Sequence, residues 1–266
     1  MVLEVVQDST GKRFALKQLN PSRAEEPAER RLFEFEAKLG MEFRHPNLVR
    51  VHEYFKDRFQ PYFVMDLFPS YHMKLPIARP SVYPMPVSQL HRIMDQAAQG
   101  LIYMHEKGWV HRDVKPENIL VNKSGEVRLV DYALALKPYG GLKKLFRKSA
   151  PVQGTHSYMS PEQIRGQPPT PSADIYSMGI TCYELACGRP PFRANSMTEL
   201  LNKHLSERPL PLTSHNKGIT AEFNDLILKM LSKKPTDRPA SLREFLSKFG
   251  RTKIYKTDPD PSAGAN

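Results

Sequence analysis

The run His111-Arg112-Asp113-Val114-Lys115-Pro116-Glu117-Asn118-Ile119-Leu120 gathers a carboxylate, an ammonium and a carboxamide into one short loop. A second carboxylate, Asp131, lies further on, and the turn residues Asn122-Lys123-Ser124-Gly125 fall nearly midway between Asn118 and Asp131. If that stretch folds as an antiparallel hairpin, Asn118 and Asp131 arrive at the same end of it. An amide oxygen and a carboxylate converging there can hold a hard cation such as Mg²⁺. Asp113 is then a few residues away, free to accept a proton.

The flanking elements must position these groups. Ahead of the loop, Leu90, Ile93, Met94, Ala97, Leu101 and Met104 recur at helical spacing and predict a helix over 87–107. After it, Ile119 to Ala135 reads as the hairpin itself. Near the N-terminus, Val2, Val5 and Val6, the turn Asp8-Ser9-Thr10-Gly11, and Phe14-Ala15-Leu16 read as another hairpin. A helix over 25–39 follows, with Leu32, Phe35 and Leu39 as its apolar stripe, and then strands over 48–54 and 62–67. The five prolines between Pro69 and Pro86 argue against a long regular element there. Residues 136–171 lack a period and are too long for a passive connection, so a functional loop is expected. Ser172 to Cys187 is apolar nearly all round and predicts a buried central helix stopped by Gly188. Helices over 196–206, 220–232 and 241–249 complete the chain, the last opened by a Ser241-x-x-Glu244 capping box. Strands come first and helices later, which implies an α+β fold in two parts with a polar, disordered tail after Gly250.

Composition excludes several classes. No apolar stretch reaches the length of about 18 residues that a membrane span needs. The first residues lack the basic-then-apolar layout of a secretory signal. The two cysteines, Cys182 and Cys187, sit in an apolar run and read as buried thiols of a reducing compartment, so a cytoplasmic location is expected. A net charge of +11 admits nucleic acid or acidic partners. No basic motif with interleaved aromatics supports nucleic acid, and none is expected as a partner.

The loop resembles the protein-kinase catalytic loop H-R-D-x-x-x-x-N, read here from His111 to Asn118. Ala15-Leu16-Lys17 resembles the strand motif ending in the phosphate-binding lysine, and Ser160-Pro161-Glu162 is similar to A-P-E. Asp174 to Gly179 resembles the central-helix D-x-W-S-x-G with Tyr for Trp, and Asp237-Arg238-Pro239 the late D-R-P. The set is in order and spans about Val2 to Phe249. Lys115 and Gly154-Thr155-x-x-Tyr158 resemble the serine/threonine branch, and the Tyr158 to Gln163 run is similar to bacterial members.

The resemblance implies a two-lobed kinase-like fold: a small antiparallel sheet over 1–66, a mainly helical lobe over 67–249, and the tail 250–266. It implies ATP and Mg²⁺ as cofactors, with Mn²⁺ as an alternative, and proteins bearing Ser or Thr as substrates, with dimerisation for trans-autophosphorylation left open. Asp113 would accept or orient the hydroxyl proton, and Lys115 would neutralise the transferred phosphoryl group. Asn118 and Asp131 would hold the metal. Lys17 would contact phosphates and pair with a helix glutamate. Glu36 is chosen over Glu34 because it lies four residues after Leu32, on the apolar side, where a carboxylate needs a partner. Met65 would stand at the gatekeeper position, Asp66-Leu67-Phe68 in the adenine-contacting hinge, and Val2, Ala15 and Leu120 around the purine. Arg112 would meet a phosphate in the activation segment, Thr155 would bridge Asp113 and Lys115, and Ser149, beside Lys143, Lys144, Arg147 and Lys148, is a phosphorylation candidate with Thr155. Glu162 and Arg238 are expected as a buried structural pair.

Two departures stand out. Counted back from Lys17, Val2 matches the valine of G-x-G-x-x-G-x-V, and the three glycines fall before Met1. Their absence from this chain is expected to weaken nucleotide positioning and to leave a sheet edge unpaired. A late start, a trimmed chain and a pseudokinase scaffold all remain open explanations. Asp131-Tyr132-Ala133 replaces D-F-G; the tyrosine can fill the aromatic role if its hydroxyl finds a partner, and alanine narrows backbone freedom.

Overall fold

Val2 faces Lys17 across an antiparallel hairpin formed by β1 (Val2–Val6) and β2 (Arg13–Gln18). The computed structural model describes residues 1–85, 87–138 and 155–257. Short helix α1 (Pro21–Ala24) and long helix α2 (Pro27–Glu42) follow, then β3 (Val51–Phe55) and β4 (Tyr62–Asp66). The four strands form one antiparallel sheet in the order β1-β2-β4-β3. β1 is therefore an edge in the described sheet, and Val2, Leu3 and Val6 on it are exposed. Side chains alternate along a strand, so Val2, Lys17 and Phe63, with Ala15, Met65 and Val51, share one face by register.

Helix α2 packs on this sheet, but not by the predicted stripe. Its buried residues are Phe33, Glu36, Ala37, Leu39 and Gly40, while Leu32 is only half-buried. The helix serves two cores at once. Phe33 and Ala37 join Leu19, Ala24, Val51 and Phe63 beneath the sheet, whereas Leu39 belongs to the larger core and Phe35 packs against it beside Trp109. A single-stripe reading cannot separate two faces turned to different partners. The helix runs to Glu42, three residues beyond expectation.

The larger part begins with β5 (Tyr71–His72) and α3 (Lys74–Ala78), both short, as the prolines require. Helix α4 (Leu90–Glu106) follows a single 3₁₀ turn, and its six predicted stripe residues are all buried. Strands β6 (Ile119–Val121) and β7 (Val127–Leu129) form the expected hairpin and join β5 in a three-stranded sheet. After α5 (Pro161–Ile164) comes the central helix α6 (Pro171–Cys187), with fourteen buried residues, ended by Gly188 in the left-handed conformation at φ 69°. Glycine adopts that conformation without the Cβ clash that penalises other residues. Helices α7 (Met197–Ser206), α8 (Ala221–Met230) and α9 (Leu242–Phe249) follow, α8 packing on α6 and α9 packing on α4 and α8.

Two expectations need correction. Ser241 Oγ accepts from Glu244 N at 3.2 Å, but the Glu244 carboxylate turns to Ala240 N instead of completing a capping box. The complete box stands at Ser160 and Gln163 on α5. Residues 251–257 are not a loose tail: Ile254 is buried, its carbonyl accepts from Thr220 N at 3.0 Å, and Tyr255 bridges Ile219. The two sheets are stitched together where Leu48 bridges Leu129, with Leu129 N donating to Asn47 O at 2.8 Å.

Arg238 and Glu162 form the expected pair, at 2.6 and 2.9 Å through both guanidinium nitrogens, with neither side chain appreciably exposed. Removing one partner of a buried pair strands the other charge. Arg238→Met is expected to lower the unfolding free energy by about 3–5 kcal/mol, read by urea denaturation; a loss under about 1 kcal/mol would show the pair to be dispensable.

Candidate active site

Lys17 reaches from the middle of β2 to the buried face of α2, where its Nζ lies 2.6 and 2.9 Å from the two Glu36 oxygens. Glu34 instead pairs with Lys38 one turn along the surface. Burial pushes the Glu36 carboxyl up, with the Lys17 ammonium opposing it. Burial also works against the Lys17 charge, yet Glu36 and Asp131 outweigh it and hold the ammonium above the usual lysine range.

Two cavities meet at this pair. One, of about 350 Å³, is lined by Val2, Val51, Phe63 and Met65 above and Leu120 and Val130 below. The other, of about 460 Å³, opens on the far side of the pair and includes Asp113, Asp131, Ala133 and Arg23. Lys17, Glu36 and Asp131 line both. Ala15 is buried opposite Met65 in the sheet. Ser70, which the sequence did not single out, also lines the smaller cavity, whereas the Asp66 carboxylate and the Phe68 ring are engaged with Arg128.

Asp113 is the most heavily bonded carboxylate of the site. Its Oδ2 accepts from Lys115 Nζ at 2.7 Å and Asn118 Nδ2 at 3.0 Å, and its Oδ1 from Thr155 N and Oγ1 at 3.2 and 3.1 Å. Thr155 Oγ1 accepts from Lys115 Nζ at 2.6 Å, so the threonine spans the two groups. Burial disfavours the charge on Asp113, but Lys115 and then His111 more than offset it and hold the carboxyl below its usual range.

Asn118 uses its amide nitrogen on Asp113, leaving Oδ1 as its acceptor. The hairpin brings Asn118 beside the segment that carries Asp131, Val130 N donating to Asn118 O at 3.1 Å. Among the described residues no three His, Cys, Asp or Glu side chains converge as a metal cage. One amide oxygen and one carboxylate suit Mg²⁺, which is commonly held by one or two protein carboxylates together with phosphate oxygens and water.

Arg112 and Asp131 both have φ of 68°, and they are the non-glycine residues with positive φ among those described. Such backbone persists where the surroundings over-determine it. At Arg112 the surroundings include Asp174 on α6. The Asp174 carboxylate accepts from His111 N and Arg112 N, each at 2.8 Å, and from His105 Nε2 at 2.8 Å, while Gln163 Nε2 donates to Arg112 O at 3.0 Å. The sequence reading matched Asp174 only as part of a motif and missed this role; its signal was a carboxylate inside an otherwise apolar helix. Tyr132 is buried, and its hydroxyl donates to the carbonyls of Val49 and Leu129 at 3.1 and 2.9 Å. A second missed cluster joins Lys74 to Glu184 at 2.7 Å and to Tyr158 at 3.1 Å. Ser149 and the basic stretch around it lie outside the described residues, so the phosphate partner expected for Arg112 does too.

Burial disfavours the Asp174 charge, but His105, His111 and the Arg112 amide hold its carboxyl below the usual aspartate range. A depressed folded pKa gives stability that is present above the unfolded value of about 4 and is lost as pH falls through the folded one. Asp174→Asn is therefore expected to cost about 2–3 kcal/mol at pH 7, with the gap from wild type shrinking on acidification below about pH 4. Urea denaturation across pH 7 to 3 checks this, and a gap constant with pH would contradict it.

Comparison with known proteins places the chain. Residues 1–248 match the family described as "Protein kinase domain". The serine/threonine-protein kinase PknB of Mycobacterium leprae is 31% identical over 228 residues, which is 84% of this chain and 36% of that protein. PknB of Mycobacterium tuberculosis is 30% identical over the same length, with the same coverage of both chains. A Corynebacterium efficiens relative is 33% identical over 236 residues, covering 86% of this chain and 35% of its own. These relatives are bacterial, in line with the Tyr158 to Gln163 run, and the chain spans about a third of their length. With a two-lobed arrangement of sheet and helices around the Asp113 loop, the chain belongs to the protein kinase domain family.

Proposed function

We propose that this chain binds Mg·ATP between its four-stranded sheet and the β6–β7 hairpin, and transfers the γ-phosphoryl group to serine or threonine hydroxyls of proteins. The observation that carries the reading is the connected set of Asp113, Lys115, Thr155 and Asn118 facing the Lys17–Glu36 pair, with Asp131 lining both cavities between them.

In this reading the apolar walls from Val2, Met65 and Leu120 receive the purine, and Lys17 meets the α- and β-phosphates while Glu36 fixes its direction. Asn118 Oδ1 and the Asp131 carboxylate would hold Mg²⁺, which supplies charge neutralisation to the phosphates when bound. Asp113, held below the usual carboxylate range, is a weak base in the ground state. It orients the hydroxyl and takes its proton late, as bonding to phosphorus lowers the hydroxyl pKa; little covalent assistance is needed in a loose transition state. Lys115, 17% exposed and hydrogen-bonded to Asp113 and Thr155, is poised to neutralise the equatorial oxygens. Thr155 supports both groups with its hydroxyl, which makes it a substrate-site residue before it is a phosphorylation site.

The reading extends to a cytoplasmic setting, supported by the free thiols of Cys182 and Cys187. Mn²⁺ would substitute for Mg²⁺ at the same two oxygens.

Transfer of labelled γ-phosphate to a generic basic protein, and to the chain itself, tests the proposal. Asp113→Asn is expected to lower kcat by about 10²–10⁴-fold, and Lys17→Met to abolish most transfer. No transfer and no nucleotide binding by the wild-type protein, even when extended upstream of Met1, would sink the reading in favour of a docking scaffold.

A further inference from the structure

Asp66 was expected in the adenine-contacting hinge, but its side chain is committed elsewhere. Oδ2 accepts from an Arg128 guanidinium nitrogen at 2.8 Å, and Oδ1 lies 2.8 Å from His52 Nε2. An ionised carboxylate only accepts, so His52 Nε2 carries a hydrogen here. The three residues come from three strands and two sheets: His52 from β3, Asp66 from the end of β4, and Arg128 from β7.

Each partner is aimed by its surroundings. The β3–β4 register shifts between Val51 and Glu53, an irregularity of the kind that re-aims a strand side chain, and His52 sits within it. The Phe14 ring meets His52 edge-on at 5.2 Å, and the Arg128 guanidinium lies 4.7 Å over the Phe68 ring. Stacking of a planar guanidinium pre-orients its nitrogens, an effect lysine cannot reproduce.

The location gives the contact a purpose. Arg128 is directly opposite Leu120 in the β6–β7 ladder, so the two side chains share a face. Leu120 lines the floor of the smaller cavity, and Met65, the neighbour of Asp66, lines its roof. The ion pair therefore ties the floor hairpin to the roof strand beside the cavity.

We infer that His52, Asp66 and Arg128 form a strap between the two sheets that sets the spacing between roof and floor of the purine cavity, making Asp66 and Arg128 positioning residues for the nucleotide. The ligand in this inference rests on the function proposed above; the strap itself does not.

The test compares wild type with Arg128→Met, Asp66→Asn, the double variant and Arg128→Lys. Arg128→Met is expected to raise KM for Mg·ATP about five- to tenfold, the scale of one lost hydrogen bond at a partly exposed pair, with a smaller change in kcat. Asp66→Asn should act in the same direction, and the double variant should be no worse than the stronger single one, because both break one link. Arg128→Lys should recover part of the loss. Hydrogen exchange over residues 66–72 should quicken in Arg128→Met, a readout independent of catalysis. An unchanged KM with unchanged exchange, or fully additive effects in the double variant, overturns the strap while leaving the kinase reading intact. If the wild type transfers no phosphate, the kinase reading falls, and exchange alone decides: no quickening in either single variant refutes the strap.

Discussion

The site depends on one buried carboxylate holding two backbone amides. Asp174 has no exposed surface, and it accepts from the main chain of His111 and Arg112 as well as from the His105 ring. A desolvated carboxylate is costly unless its oxygens are filled by well-placed donors. Here two of the donors are the backbone amides of His111 and Arg112, so satisfying the charge and placing the Asp113 loop are the same event. Helix α6 can offer such an anchor because it is buried on nearly every side. Arg112 sits in the left-handed region beside this anchor, with its own carbonyl taken by Gln163. Asp113 follows directly, so its orientation is set by main chain that has little freedom left.

Around that fixed point, charges are arranged in compensating groups on both sides of a gap. Asp113 is balanced by Lys115 across 2.7 Å and Glu36 by Lys17 across 2.6 Å. Asp131 raises the proton affinity of both Lys17 and Glu36, which shows that all three share one field. A cation added near Asp131 and Asn118 would relieve that excess of negative charge, whereas an anionic phosphate near Lys17 would be drawn by its ammonium. The arrangement suits a ligand that brings both signs together, as a metal–nucleotide complex does.

Much of this was legible in the sequence because it is local. The loop from His111 to Asn118 is contiguous, and the hairpin geometry that joins Asn118 to the neighbourhood of Asp131 follows from a four-residue turn midway between them. Glu36 was separable from Glu34 because helical periodicity alone puts one toward the core and the other toward Lys38. The stripe of α4 was legible because a single core covers it. What escaped, apart from a local choice at Glu244, depends on a partner distant in sequence. The Phe33 face of α2 answers to one core and Leu39 to another. Glu244 had two neighbouring amides to choose from, and Ile254 finds its cover at Ile219 and Thr220. The Asp66 side chain turns to Arg128, sixty-two residues away. Family spacing put that residue in the hinge but says nothing of which neighbour its carboxylate meets.

The Asp131-Tyr132-Ala133 triplet follows from the same logic. Strain is concentrated at Asp131, whose φ of 68° turns its carboxylate into the cavities, and it is held there from the next residue. Tyr132 is buried among Phe43 and His111, and its hydroxyl reaches the carbonyls of Val49 and Leu129. Those two residues belong to the stitch between the sheets, since Val49 N donates to Leu129 O at 3.0 Å. A phenylalanine could fill the same space but could not make that bond, so the tyrosine couples the Asp131 carboxylate to the junction of the lobes. Ala133 takes no positive φ in this arrangement and so carries no penalty from its Cβ. The penalty would fall only on a conformation that asks position 133 to enter the left-handed region. Tyrosine before it and alanine in place of glycine therefore act in one direction: the first stabilises the inward placement of Asp131, and the second raises the free energy of backbone alternatives that only glycine would tolerate.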